Sequence, residues 1–175
     1  MRKAGIGLAA AAALVAGCAE RPKPAPPPAA VPLPPTPAPE PPPPPLAWED
    51  LPVAPGAWVY SADDAGSQAL FGAPASEASF VVRCERAPRE VVLSREGSPA
   101  SPQLRVRTSS LERTLAATAR TEPLAYVGAA LPAGDPLLDA IAFSRGRFAV
   151  EVPGLPLLVL PAWPEPGRVV EDCRG

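Results

Sequence analysis

Ser79-Phe80-Val81-Val82-Arg83-Cys84 reads as a half-buried strand, with Phe80, Val82 and Cys84 on one face and Val81 and Arg83 on the other. Successive side chains of a strand point to opposite faces, so this alternation marks a segment lying against a core. The chain on both sides repeats the theme. Upstream, Trp58-Val59-Tyr60 follows the turn signal Pro55-Gly56, and Gln68 to Phe71 is a short apolar piece closed by Gly72. Downstream, the β-branched run from Glu90 to Arg95 stops at Glu96-Gly97-Ser98-Pro99, and Leu104, Val106 and Thr108 alternate with Arg105 and Arg107. Clusters of Gly, Pro and Ser between such runs are turn chemistry.

Residues 110–118 stay open between two readings. Ser109-Ser110 can turn the chain into a strand at Leu111 to Ala116, whereas the spacing of Leu111, Leu115 and Ala119 suits a helix. Tyr126 to Leu131 is a weaker strand. Asp135-Pro136 then opens a helix, because Asp caps and Pro is harmless at the first helical position. Leu137, Leu138, Ile141 and Ala142 form its apolar stripe, and it ends near Ser144-Arg145-Gly146. Phe148, Val150 and Val152 alternate as a strand, Gly154-Leu155-Pro156 turns the chain, and Leu157 to Leu160 follows as another strand. Pro164 to Cys173 reads as a closing helix with Val169 and Val170 inward. Short strands with one or two short helices predict a mainly β domain over residues 47–175, an antiparallel β-sandwich or sheet with minor helix.

Before this domain the composition changes. More than half of the 29 prolines lie between Pro22 and Pro45. Proline fixes φ and lacks an N–H, so residues 18–46 are expected to be a disordered, proline-rich tether in polyproline II. At about 3.1 Å per residue such an arm reaches on the order of 70 Å. Its expected role is a stiff spacer.

The first residues carry a targeting signal. Arg2 and Lys3 precede the apolar run Ile6 to Val15, which is too short for a membrane-spanning helix of about 20 residues. Small residues then lead to Val15-Ala16-Gly17-Cys18, which resembles the lipobox of bacterial lipoproteins. The resemblance implies that residues 1–17 are a signal peptide and that Cys18 becomes a lipidated N-terminus. It also implies sorting to the outer membrane, facing the periplasm, because Ala19 rather than Asp follows the cysteine. An exported chain meets an oxidising space, and its remaining cysteines, Cys84 and Cys173, are then expected to form a disulfide.

From Ser79 to Cys173 the layout is similar to small exported domains of the invasion-associated locus B kind and the VasI kind from type VI secretion loci. The residues that carry this are Phe80-Val81-Val82-Arg83-Cys84, Leu104 to Thr108, Asp135 to Arg147, Phe148 to Leu155 and Cys173. The resemblance also extends to uncharacterised Gram-negative lipoproteins. It implies an exported β-sandwich and transfers no catalytic residue.

Candidate chemistry is sparse. Histidine is absent and both lysines, Lys3 and Lys23, precede the domain, which leaves carboxylate, Tyr or Arg chemistry there. A net charge of −2 offers no basic surface for nucleic acid. Asp135 and Asp139 share a helical face and would be the pair for a carboxylate-based hydrolase, but capping and solvation account for them. Asp63-Asp64 with Gly66 lacks the further ligands of a calcium loop and reads as a turn. Arg105, Arg107, Arg145 and Arg147 form the possible binding face, able to hold a carboxylate, a phosphate or an acidic partner if their strands are neighbours, and the plainer reading is that they pair with Glu90, Glu112, Glu151 or Asp139 across strands. Trp58 and Trp163 are expected at the core or its rim, and Trp48 at the tether junction is expected to be exposed. No cofactor, metal or nucleic acid is expected. The expected function is a non-enzymatic binding or interaction domain, anchored through lipid on Cys18 and holding a protein or envelope partner. The alternative is an accessory or assembly factor of an envelope or secretion machine. Cys18→Ser should move the protein out of the membrane pellet, and a variant that sediments like wild type would refute the anchor.

Overall fold

The computed structural model describes Lys23, residues 46–121 and residues 123–175. The segment expected to be a signal peptide, Cys18 and nearly all of the proline-rich segment lie outside the described residues. Among the described residues a 3-10 turn at Trp48–Asp50 leads into ten strands and two helices. They are β1 (Ala57–Asp63), β2 (Gly66–Gly72), β3 (Phe80–Glu85), β4 (Glu90–Glu96), β5 (Gln103–Arg107), β6 (Glu112–Ala116), β7 (Thr118–Arg120), β8 (Tyr126–Pro132), α1 (Pro136–Ala142), β9 (Arg147–Glu151), β10 (Leu158–Pro161) and α2 (Pro164–Arg174). Every strand pair is antiparallel, in a six-stranded sheet ordered β1-β2-β3-β4-β8-β7 and a four-stranded sheet ordered β10-β9-β5-β6. The expected mainly β, antiparallel architecture is the one observed.

The register explains the core. Trp58, Phe71, Phe80, Arg95 and Val127 stand opposite one another across β1, β2, β3, β4 and β8, and Tyr60, Ala69, Val82, Leu93 and Ala129 form the next row. These rows face inward, and apart from Tyr60 and Arg95 all their members are buried. Leu104 and Val106 of β5 and Phe148 and Val150 of β9 close over them from the smaller sheet. Trp58 is the joint between the sheets. Its ring lies 5.3 Å from that of Phe71, 6.3 Å from Phe80 and 6.4 Å from Phe148, and its Nε1 donates to the Pro161 carbonyl at 2.9 Å. Such aromatic pairs contribute about 0.5–1.5 kcal/mol each beyond the area they bury.

The ambiguous segment at 110–118 is strand, not helix. Leu115 is buried, and the arginines and acids of β5 and β6 face each other across the pair, with Arg107 opposite Glu112. The chain then switches sheets, because β6 belongs to the smaller sheet and β7, two residues later, to the larger. Tyr126–Pro132, read as a weaker strand, pairs with β4 along its whole length.

The hairpin from β1 to β2 turns at Asp64 and Ala65, where Asp63 Oδ1 accepts from the N–H groups of Ala65 and Gly66, each at 2.9 Å. Gly66 is required by proximity: a Cβ there would lie 2.0 Å from the Cys84 carbonyl oxygen. In α1 the Asp135 side chain caps the Leu137 N–H, and the helix stops at Ala142, slightly earlier than its sequence signal. The helix α2 lies against β1 to β4, burying Val169, Val170 and Cys173. Tyr60 donates to Asp172 Oδ2 at 2.6 Å, and the Arg168 guanidinium sits 4.0 Å over the Tyr60 ring.

Cys84 of β3 and Cys173 of α2 are joined as a disulfide, with Cα atoms 5.4 Å apart and a sequence separation of 89. A loop of that length gives about 4.5 kcal/mol on chain-entropy grounds, and measured values run lower. Replacing both cysteines by alanine should therefore cost about 2–4 kcal/mol in denaturant unfolding and leave α2 the first segment cut by protease. Two reactive thiols from Cys84 and Cys173 in denatured, unreduced protein would contradict the bridge.

Candidate binding faces

Arg105 and Arg107 project together from the outer face of the four-stranded sheet. Each meets carboxylates. Arg105 Nε donates to Glu112 Oε1 at 2.8 Å and its Nη1 lies 3.6 Å from Glu151 Oε2. Arg107 Nη2 donates to Glu151 Oε2 at 2.8 Å, and its Nε lies 3.5 Å from Glu112. Two guanidinium groups thus face two carboxylates. The hydrogen bond that Arg105 donates to Glu112 raises the Arg105 pKa, desolvation opposes it, and the Glu112 and Glu151 charges add to the rise. Partly exposed pairs of this kind contribute little stability, about 0–1 kcal/mol each.

Arg147 also leaves from the outward parity of β9, but its Nη1 donates to the carbonyls of Glu49 and Leu51, at 3.0 and 2.6 Å. It fastens the entering segment to the sheet. Arg145 is exposed in the loop after α1, where its backbone N–H donates to Ser109 Oγ at 3.1 Å. The structure brings Arg105 and Arg107 together and gives Arg145 and Arg147 separate surroundings.

The carboxylates of α1 do not converge on a pocket. Asp135 Oδ1 accepts from the Leu137 N–H and from Arg113 Nη2 at 2.6 Å, while Asp139 pairs with Arg174 at 2.9 Å. Among the described residues no group of three or more His, Cys, Asp or Glu is placed to hold a metal ion, and no helix is long and apolar enough to cross a membrane. Trp58 is buried, Trp48 is half-buried and Trp163 is 44% exposed.

The feature that sequence reasoning missed lies on the outer face of the six-stranded sheet. Val59, Leu70 and Val81 stand in register across β1, β2 and β3, and the same row continues through Ser94 to Gly128. The smaller sheet and α2 cover the other side. Two hollows run along this face, of about 190 and 580 Å³, and share Val81 and Tyr126 in their walls. Pro123 and Leu124 wall one end and the loop from Ala73 to Ala78 the other. Ala75 in that loop holds φ at +59°, a left-handed conformation unusual for a side chain with a Cβ. Val59 is 60% exposed and Leu124 40%, so apolar surface faces solvent there. The signal was present: Trp58-Val59-Tyr60, Ala69-Leu70-Phe71 and Phe80-Val81-Val82 are apolar at every position, which marks strands with two apolar faces.

Tyr126 lines both hollows and donates its hydroxyl to the Ala78 carbonyl at 2.6 Å. Burial raises its pKa above 10.0, the Glu96 and Glu77 charges add to this, and Arg95 opposes. The Tyr60 pKa is raised too, first by its hydrogen bond to Asp172. No family model, curated protein or solved structure matches this chain.

Both tyrosines keep their protons in the folded state above the pH at which unfolded tyrosine ionises. Their contribution to stability is full below about pH 10 and is lost as pH rises through the folded values. A spectrophotometric titration of the native chain should show both phenols ionising later than in denaturant. A native titration that overlays the denatured one would contradict the Tyr60–Asp172 hydrogen bond and the burial of Tyr126.

Proposed function

We propose that this chain is a lipid-anchored periplasmic lipoprotein, sorted to the outer membrane, whose β domain binds a protein or envelope component without catalysing a reaction. The observation that carries the binding reading is the open, apolar outer face of the six-stranded sheet. A sheet buried on one side ordinarily turns polar residues to water on the other. Here Val59, Leu70, Val81, Val92, Leu124 and Tyr126 stand among Gln68, Arg83, Glu85, Ser94 and Arg120 and line two adjoining hollows that form a trough. Contiguous exposed apolar surface of this kind marks interaction sites on soluble domains.

The anchoring half of the proposal rests on the charge, apolar run, small residues and cysteine that follow one another up to Cys18. The non-enzymatic half is supported by the engagement of the candidate acids, with Asp135 held by a helix cap and Arg113, and Asp139 by Arg174. The Arg105–Arg107 pair, matched by Glu112 and Glu151, is a weaker candidate for partner contact, because an incoming anion must displace carboxylates already in place.

A photo-crosslinking amino acid at Leu70 or Val81 should capture a discrete partner in intact cells, and one at Thr114, on the outer face of the smaller sheet, should not. Leu70→Asp should abolish capture from Val81. Equal capture from all three positions, or capture from Thr114 alone, would place the partner elsewhere.

A further inference from the structure

We infer that the free edge of β1 is a strand-addition site, which takes an extended segment of a partner protein as a seventh strand of the larger sheet. The inference rests on the binding reading above and gives the partner a backbone conformation and a charge pattern. It uses the rim of the sheet, beside the trough.

The ladder decides which backbone groups of β1 are open. Arg86 N–H donates to the Ala65 carbonyl at 3.1 Å and Ser79 N–H to the Phe71 carbonyl at 2.7 Å, so Ser67, Ala69 and Phe71 of β2 bond towards β3. Opposite those three stand Ala62, Tyr60 and Trp58. In an antiparallel ladder these residues then turn their N–H and C=O groups away from β2. β1 is the outermost strand of its sheet, and no turn or loop hydrogen bond among the described residues reaches those groups. Trp58 is buried, Tyr60 half-buried and Ser61 to Asp63 exposed, so the open stretch runs from Val59 to Asp63. The other sheet edges are guarded. β7 is three residues long, β6 carries Glu112 and Arg113, and β10 ends at Pro161 and is met at Val159 by the Ala54 N–H. β1 pairs through seven unbroken positions and holds no lysine, arginine or proline. Long edges without such guards pair with another extended chain.

The side chains along the edge define that chain. Antiparallel pairing continues the rest of the sheet. One residue of the added strand then stands opposite Tyr60 on the inner side, where the exposed Arg168 guanidinium lies 4.0 Å over the Tyr60 ring. Asp172 is occupied by the Tyr60 hydroxyl, and Arg168 takes part in none of the ion pairs among the described residues. An acidic side chain fits there. The next residue of the strand stands opposite Val59, which is 60% exposed at the edge of the larger hollow, and an apolar side chain extends the trough. Three residues before the acid, the strand meets Asp63, where a basic side chain fits. Opposite charges facing each other across a pair are stabilising. The complementary segment therefore reads basic-x-x-acidic-apolar from its N-terminus.

The probe is a dye-labelled, amidated peptide of sequence Lys-Thr-Val-Glu-Val, titrated into the full chain in nonionic detergent and followed by anisotropy. Saturable binding below about 1 mM is expected, with slowed hydrogen exchange at the Tyr60 and Ala62 amides. The charge-swapped peptide Glu-Thr-Val-Lys-Val should bind about tenfold more weakly, and Arg168→Glu should erase that preference. Ala62→Pro removes an outward N–H and spares the bonds to β2, so it should weaken binding about tenfold while the urea midpoint moves little. The same peptide methylated on the backbone nitrogens of Thr and Glu should not bind, a result that needs no change to the protein. No saturable binding, or indifference to methylation or to the charge swap, would overturn the inference. Failure of the peptide together with capture of a partner from Val81 removes the edge and leaves the trough. Binding of the peptide without capture from Leu70 or Val81 supports the edge and removes the trough.

Discussion

The indole of Trp58 lies against Phe71 and Phe80 of its own sheet and Phe148 of the other, and its N–H reaches the Pro161 carbonyl. That contact fixes which side of the larger sheet is inside. Because side chains alternate, a shift of one residue in β1, β2 or β3 would exchange the Trp58–Phe71–Phe80 row for Val59–Leu70–Val81 and empty the joint. The aromatic ring stack therefore selects between two apolar faces, and the disulfide from Cys84 to Cys173 fastens α2 over the selected one. What is left is an apolar face without a cover. The functional proposal descends from this asymmetry.

Much of the inward pattern was legible. Phe80, Val82 and Cys84, or Leu104 and Val106, declare their side because their neighbours include Arg83, Arg105 and Arg107. Asp135-Pro136 marked its helix because the capping geometry is local. The trough was not read, since nothing local tells the side of Val59 from that of Trp58, or of Leu70 from that of Phe71; the arrival of Phe148 against Trp58 and Phe80 makes one face core. Residues 110–118 failed for a related reason. Leu111 and Leu115 fit either period, and the choice is made by β5, whose Arg107 stands opposite Glu112. The same long-range pairing gave the Arg105–Arg107 face its carboxylates: Glu151 belongs to β9, and no spacing rule brings it to Arg105.

Residues 49–54 lie along the smaller sheet, where Arg147 holds the carbonyls of Glu49 and Leu51 and Ala54 N–H donates to the Val159 carbonyl at 2.8 Å. The trough is on the outer face of the larger sheet, so the two features occupy different layers of the domain.

Intact-mass measurement of the protein purified from its native cells tests the central claim of an exported, acylated and oxidised β module most directly. The predicted mass is that of a chain beginning at Cys18, carrying two or three acyl groups and lighter by the two hydrogens lost at Cys84 and Cys173. An unmodified polypeptide still beginning at Met1, with both thiols reduced, would contradict it.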